Sequence, residues 1–579
     1  MTAALRPWSR PIRFADPDLR SLRPRILAAL KTGLIRQPTG GHHYLVIGAS
    51  TLMAAGPRPG NGDTIPLLIL DGPSPVDAKR VPASFVAMPV PLPQTADCLG
   101  PEEVARWLVQ SAKERPAGTD TDFAGLWRTR DMNCAASGEQ VPGEASSNSL
   151  ERLLTGHPDM SSMDPFWGAV HRQCETQALD QTRLVNHILS KHTLWFSPYN
   201  GEPILPADAA AIFAIMHEHW QENDQPAHCF GAQYWNHPSI RATFSGRGGS
   251  VQFHETEAET LAAASASRGR VLSWAGRTSR ELEAECSKTG TPLLRIEDGF
   301  LRSVGLGAGL ARGAMLAVDD LGIYYDPSRP SRLEVLLRDR DLLPDERKRG
   351  EYLVDRLQRA RVSKYNFGKS RTYDFPTGRK KILVPGQVAD DAAIRKSRSA
   401  TIDCANTPNV NLDLLRLARE RHPDAFLVFK PHPDVETGLR KGKVARETAL
   451  GFVDAVAEDA NIIDLIEAVD AVETFSSLSG YEALLRGKSV AVHGAPFYAG
   501  WGLCEDLTPL EGRGRRRSLA ELVYLSLVVY ARTIDPVTLL PCTPEFLISR
   551  LTEQRNDRKH LLVTAAKRHA SWLGRKLGL

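Results

Sequence analysis

From about residue 250 onward the chain alternates short apolar runs with amphipathic stretches, and this alternation limits the fold more than any other feature. Arg270-Val-Leu-Ser-Trp274 reads as a strand, Thr278–Thr289 as a helix and Pro292-Leu-Leu-Arg-Ile296 as the next strand. After a helical stretch over Arg332–Val362 the pattern resumes. Strands fall at Lys381–Pro385, Ala425–Phe429, Ala471–Thr474 and Ser489–Val492, with helices at Asn411–Arg421, Ile462–Ala468 and Ser479–Arg486. Apolar strands separated by helices predict parallel sheets covered on both faces, hence an α/β fold. Two such runs, joined through Lys364–Lys380, predict two Rossmann-like, doubly wound lobes over 181–375 and 376–545. A divergent N-terminal α/β portion over 1–180 precedes them and a basic tail over 546–579 follows. In such sheets ligands sit beyond the carboxyl ends of the strands, so polar clusters at those ends are the candidates for function.

The first part of the chain is less regular. Tyr44–Gly48 and Pro66–Asp71 read as short buried strands among Pro- and Gly-rich pieces such as Gly56–Asp63, and Ser137–Ser149 reads as a linker. Helical periodicity runs through His171–Leu189 and through Ala209–Trp220, with Asp208 as the expected N-cap. Composition narrows the class. With 72 Lys+Arg against 68 Asp+Glu the net charge is +4, too mild for a nucleic-acid partner. The eight cysteines include no Cys-x-x-Cys pair, which predicts reduced thiols in a cytosolic protein. The N-terminus lacks the apolar core of a signal peptide. The longest greasy stretch, Leu522–Ala531, is about half of what a bilayer crossing needs.

Four polar clusters follow predicted strands. Glu297-Asp298-Gly-Phe-Leu-Arg302-Ser303 puts two carboxylates and an arginine on one tight turn. A carboxylate there can serve as base, nucleophile or cation stabiliser; a salt-bridged structural turn is the alternative. Lys430-Pro-His432-Pro-Asp434 fixes a His and a Lys between prolines, suited to a phosphate leaving group or, equally, to a rigid surface turn. Thr474-Phe-Ser476-Ser477-Leu-Ser479-Gly480-Tyr-Glu482 empties a strand into hydroxyls at a helix start, where an anion is favoured and where caps are common anyway. Phe497-Tyr498-Ala-Gly-Trp501-Gly502 can form a sugar- or base-stacking wall or pack a core. The Gly305-Leu-Gly307 pair lacks dinucleotide-binding register. With no HExxH, no Walker loop and no paired zinc spacing, no metal and no cofactor is predicted.

The order of these motifs is more specific than any one of them. EDGFLRSVGLG, DDLGIYYD, SKYNFG (Ser363–Gly368), KPHPD, SSLSGYEALLRGK and FYAGWG follow one another over a chain section that runs to Asp535–Glu545. The series resembles the KpsC family of capsular polysaccharide synthesis proteins, which are β-Kdo (3-deoxy-D-manno-oct-2-ulosonic acid) transferases. The resemblance covers about residues 180–545, with Phe196–Pro203 similar to the tail of a preceding module. Typical family members carry two such modules. Here each motif occurs once, so the resemblance implies one active centre like the C-terminal module, with 1–180 reduced to a structural or acceptor-binding role.

The resemblance implies a GT-B-like glycosyltransferase that takes Kdo from CMP-Kdo to a lipid-linked glycan with retention. Asp298 is then the nucleophile and Glu297 the acid/base or second candidate, while Arg302 pairs with a substrate carboxylate. His432 and Lys430 face the departing CMP phosphate, Ser476, Ser477, Ser479 and Gly480 cradle it, and Glu482 meets the ribose. Tyr498 and Trp501 supply the stacking wall. Two other functions compete: a CDP-glycerol-type glycerophosphotransferase, and a non-catalytic capsule assembly or export component that engages other capsule assembly proteins. Arg555–Leu579 carries seven Lys or Arg against the single acid Asp557 on an imperfectly amphipathic pattern. That predicts a peripheral anchor on the anionic inner face of the bacterial inner membrane, against the alternative of a frayed tail.

Overall fold

The computed structural model describes residues 203–557 apart from 305–312, 365–370, 437 and 439. Before that it describes 44–48, 51–55, 67–70, 84–87, 101–114, 120, 122, 165–191, 195–196 and 199. Gly305–Gly307, Tyr365–Gly368, Gly56–Asp63, Ser137–Ser149 and the tail beyond Asp557 therefore lie outside the described residues. These residues divide into two compact units, one running up to Glu222 and one from Asn223 onward.

The first unit contains a four-stranded sheet in the order β2 (Thr51–Ala55), β1 (Tyr44–Gly48), β3 (Leu67–Leu70) and β4 (Ser84–Ala87). Its helices include Pro165–Thr176 and Gln181–Lys191, which replace the single helical stretch expected over His171–Leu189. The break falls at Ala178, whose φ of 50° is left-handed and ends the first helix. Asp208 does not cap the helix Pro206–Glu222 but sits inside its first turn, where a carboxylate still meets the positive end of the helix dipole.

The second unit holds two six-stranded sheets. The first runs β18 (Ala531–Thr533), β11 (Met315–Asp319), β10 (Leu293–Asp298), β9 (Arg270–Trp274), β7 (Ala227–Phe230) and β8 (Gln252–His254). Strands β10, β9, β7 and β8 are parallel, whereas β11 and β18 close the other edge antiparallel. The second sheet is parallel throughout: β14 (Ala455–Val456), β13 (Phe426–Lys430), β12 (Lys381–Pro385), β15 (Ala471–Thr474), β16 (Ser489–Val492) and β17 (Glu505–Asp506). Its central strands read as continuous apolar runs because helices cover both faces. Ile382, Leu383 and Val384, and beside them Leu427 and Val428, are at most 1% exposed.

Two features escaped the alternation. Strand β18 belongs to the first sheet although it lies within 376–545, the range expected for the second lobe. The greasy stretch ahead of it is a buried helix, Leu519–Tyr524, running into a π-helical turn, Leu525–Tyr530. The returning chain is fixed by a buried ion pair, Arg349 on Glu545 at 2.7 and 3.0 Å. Among the described residues no helix is long and apolar enough to cross a membrane.

Candidate functional site

Chain order reverses between β12 and β15, so the crevice beyond their carboxyl ends is the switch point where doubly wound sheets bind ligands. Gln387, two residues past β12, bridges it: its side-chain oxygen accepts from the Ser476 N–H at 2.9 Å and its amide donates to the Ser476 hydroxyl at 3.3 Å. Ser477 caps the following helix, Leu478–Leu484, by accepting from the Ser479 N–H at 3.1 Å. The three serines of this turn are half-buried and follow the carboxyl end of β15.

The neighbouring strand β13 runs one residue further than expected and ends on Lys430. Its ammonium, 4% exposed, is already committed to the Pro431 carbonyl at 2.8 Å and to Glu436 at 3.0 Å. The imidazole of His432 accepts the Asp434 N–H on Nδ1 at 3.2 Å, which leaves Nε2 to carry the proton of the neutral ring. Burial, with Lys430, Lys364 and Arg440 nearby, pulls its pKa down to about 3. His432 is thus a neutral donor through Nε2.

The carboxylates lie in the first sheet. Strand β10 extends through Glu297 and Asp298, so both are its last residues rather than part of a following turn. Arg302, 1% exposed, donates to Asp298 Oδ2 at 2.7 Å and to the Ser303 hydroxyl at 3.3 Å. It serves Asp298 instead of waiting for a substrate carboxylate. The other oxygen of Asp298, Oδ1, is buried and has no hydrogen-bond partner among the described residues. Among the described residues Glu297 accepts the Asp298 N–H alone, at 3.0 Å. Burial and the Asp298 charge push its pKa up to about 8, so it holds a proton at neutral pH. A protonated Glu297 therefore stands beside an Asp298 that Arg302 holds by an ion pair, an arrangement suited to acid/base chemistry.

Three residues with no role assigned from the sequence complete the constellation. Lys364 joins its two halves: its carbonyl accepts the N–H groups of Arg302 and Ser303, each at 3.2 Å, and its own N–H donates to Glu482 at 2.9 Å. Its charge acts on both Glu297 and His432. The Tyr325 hydroxyl is buried without a hydrogen-bond partner among the described residues, and burial first, then the Glu297 charge, raises its pKa. Both residues fall inside motifs of the resemblance, but nothing local marks them. Gln387 had one legible signal, its place just past a central strand.

Some expected contacts are redirected. Glu482, 6% exposed, is taken by Lys364, so it anchors the crossing segment and is not open to a ribose. Tyr498 and Trp501 are 0 and 1% exposed and offer no face for stacking a sugar. The Tyr498 hydroxyl donates to the Ser477 carbonyl, and the Trp501 indole donates to the Phe497 carbonyl at 2.8 Å. Gly480 makes this possible: a Cβ there would stand 2.2 Å from the Tyr498 hydroxyl oxygen. The aromatic cluster braces the serine turn and, through Phe497 and Phe300 at 4.5 Å between rings, the carboxylate strand. Among the described residues no group of three His, Cys, Asp or Glu is placed to hold a metal ion.

Known proteins are similar to this chain in sequence. A capsule polysaccharide modification protein, LipA of Neisseria meningitidis serogroup B, is 33% identical over 430 residues, 72% of this chain and 60% of LipA. A lipopolysaccharide-processing protein, LpsZ of Rhizobium meliloti, is 38% identical over 268 residues, 45% of this chain and 58% of LpsZ. The chain thus spans about three fifths of the curated relatives it matches. Among solved structures, KpsC, beta Kdo 2,4 transferase, of Thermosulfurimonas dismutans is 33% identical over 57% of this chain and 98% of that chain, with a TM-score of 0.49. The family described as "Capsule polysaccharide biosynthesis protein" matches residues 270–534, from the first residue of β9 to the residue after β18. That span contains every residue of the constellation, and over it the chain matches this capsule polysaccharide biosynthesis family.

Proposed function

We propose that this protein is a retaining glycosyltransferase that moves Kdo from CMP-Kdo to a lipid-linked glycan during capsular polysaccharide synthesis. The observation that carries the reading is the carboxyl pair at the end of β10: a protonated Glu297 beside Asp298, whose Oδ1 is buried and without a hydrogen-bond partner among the described residues. An unpaired carboxylate oxygen is poised as a nucleophile, because no hydrogen bond must break before it attacks.

In the first step an Asp298 oxygen bonds to the anomeric carbon while the bond to the CMP phosphate breaks. The Glu297 proton passes to the departing phosphate oxygen. In the second step the acceptor hydroxyl attacks the same carbon, the Asp298 ester bond breaks, and the hydroxyl proton returns to the Glu297 carboxylate. Arg302 holds Asp298 in register. His432 donates through Nε2 to the phosphate, and Ser476 and Ser479 line its cradle, so the charge is met without a metal ion. Lys430 acts through its hold on Glu436 and the Pro431 carbonyl. In this reading the two sheets form the two lobes of a GT-B-like enzyme. The working place is the cytoplasmic face of the inner membrane, where the basic residues of 555–579 meet anionic lipid.

The test is incubation of the purified chain with CMP-Kdo, with and without a Kdo-terminated acceptor, read by CMP release and intact protein mass. Without acceptor we expect a covalent Kdo adduct, absent in Asp298→Ala. No CMP release with any acceptor overturns the donor assignment. A product that keeps phosphate turns the reading toward glycerophosphate transfer.

A further inference from the structure

The first sheet has its own switch point, and none of the roles above uses it. Chain order reverses between β7 and β9, whose carboxyl ends carry the loops Gly231–Asn236 and Ala275–Arg277. Strand β10, with Glu297 and Asp298, is the next strand along, Ile296 pairing with Trp274. Neighbouring strands stand about 4.8 Å apart, so β7 lies about 10 Å from the carboxylate strand along the same edge.

The groups displayed there are unusual for a surface. Tyr234 is 68% exposed and stands edge-on to Trp235, with ring centroids 5.1 Å apart. Arg277 is exposed and makes no hydrogen bond or ion pair with any described residue. Its aliphatic stem lies over Gly231: a Cβ at that glycine, whose φ is +80°, would meet Arg277 Cβ at 3.2 Å and Cδ at 3.4 Å. The close approach holds the cation across the crevice, beside the loop that carries the aromatic pair. A candidate counter-charge nearby, Glu257, is engaged by the Ser279 N–H and hydroxyl at 3.0 and 2.5 Å. The same loop reaches the carboxylate strand. A Cβ on Gly276 would lie 3.9 Å from the buried Tyr325 hydroxyl, which has no hydrogen-bond partner among the described residues and whose pKa Glu297 helps to raise.

We propose that these switch-point loops form an acceptor subsite for an acidic oligosaccharide, in which Arg277 takes a sugar carboxylate and the Tyr234–Trp235 pair takes the apolar face of a ring. A guanidinium held by its stem is suited to bidentate carboxylate recognition. Exposed aromatic rings supply rigid contact area for the CH face of a sugar at small entropic cost. The distance along the sheet edge puts this subsite beyond the reacting residue, so it reads the sugars behind the one being extended. The inference rests on the glycosyl-transfer reading and deepens it.

The experiment uses the full chain, with calorimetric titration of a Kdo trisaccharide, maltotriose of equal length and CMP, alongside transfer assays. Wild type should bind the acidic trisaccharide about tenfold more tightly than maltotriose. Arg277→Met should erase that preference. Tyr234→Ala with Trp235→Ala should weaken both sugars about tenfold. Thermal melting should be unchanged in Arg277→Met, whose side chain is exposed, and should fall only slightly in the double variant, because Tyr234 is exposed and Trp235 half-buried. Wild-type affinity for the acidic trisaccharide in both variants, or no binding of it by wild type, overturns the subsite. If the trisaccharide binds with the expected variant pattern but no Kdo is transferred, the subsite stands and the transferase reading falls.

Discussion

The carboxylate end of β10 and the crevice between β12 and β15 treat their polar groups in opposite ways. In the crevice nearly every candidate is satisfied from within: Lys430 by Glu436, Ser476 by Gln387, Glu482 by Lys364 and Tyr498 by Ser477. At β10 the groups are left short: among the described residues Asp298 Oδ1 and the nearby Tyr325 hydroxyl lack partners, and Glu297 is held protonated by burial and the Asp298 charge. A buried polar group without a partner costs about 1–3 kcal/mol, so a fold keeps one only where something else is gained. On the proposed function, the crevice holds the charged donor in a fixed geometry and the strand end reacts, so the contrast places bond-making at β10 and binding at the second sheet.

Replacing Asp298 attacks the contrast most directly. Asp298→Ala should lower transfer on the order of 10⁴-fold while the protein remains folded, since it removes a reactive oxygen and leaves Arg302 its contact with Ser303. Turnover near wild type would move the reaction away from β10. Glu297→Gln should cost roughly 10³-fold and also change the pH profile. Wild-type activity should fall as pH rises through about 8, where Glu297 loses its proton, and that limb should vanish in the variant. The folded pKa is raised above the ordinary value of 4.5, so the native state binds the extra proton and stability declines from about pH 4.5 to 8. The variant should lack this decline in denaturant titrations at several pH values.

On the binding side, His432→Ala should reduce donor kcat/KM about 10²-fold, the loss of one aligned donor. With its pKa near 3 the ring stays neutral, so wild type should show no histidine inflection between pH 5 and 7. An inflection near 6.5 that disappears in the variant would place His432 among the titrating, reacting groups. Tyr498→Phe should have the smallest effect, a stability loss of about 1 kcal/mol from the bond to the Ser477 carbonyl with donor KM little changed. A large rise in donor KM at unchanged stability would make Tyr498 a ligand contact rather than a brace.

Six of the twelve strands of the two sheets were legible because their signals are local: Arg270–Trp274, Lys381–Pro385, Ala471–Thr474 and Ser489–Val492 begin and end where their apolar runs do. Strands β7, β8, β14 and β17 are two to four residues long and give little period to read, and the two remaining share another cause. Strands β11 and β18 pair antiparallel at an edge between residues more than two hundred positions apart, and β18 follows a long apolar stretch that masks where it starts. The helical stretch Arg332–Val362 divides into Arg332–Asp339 and Pro344–Ala360 because Pro344 suits a helix start, a boundary that the apolar period runs straight through.

The amino-acid order by itself determined the parallel sheets and the positions of Asp298, His432 and the serine turn at strand ends, because apolar period and Pro, Gly and Ser punctuation act within a few residues. Only the tertiary structure decided what those residues are. Arg302 turns to Asp298, Tyr498 and Trp501 become braces, Glu482 becomes an anchor, and Glu297 keeps its proton. Each outcome depends on how much water is removed and which charge is brought near, and both are set by partners such as Lys364 and Tyr325 that are distant in the chain.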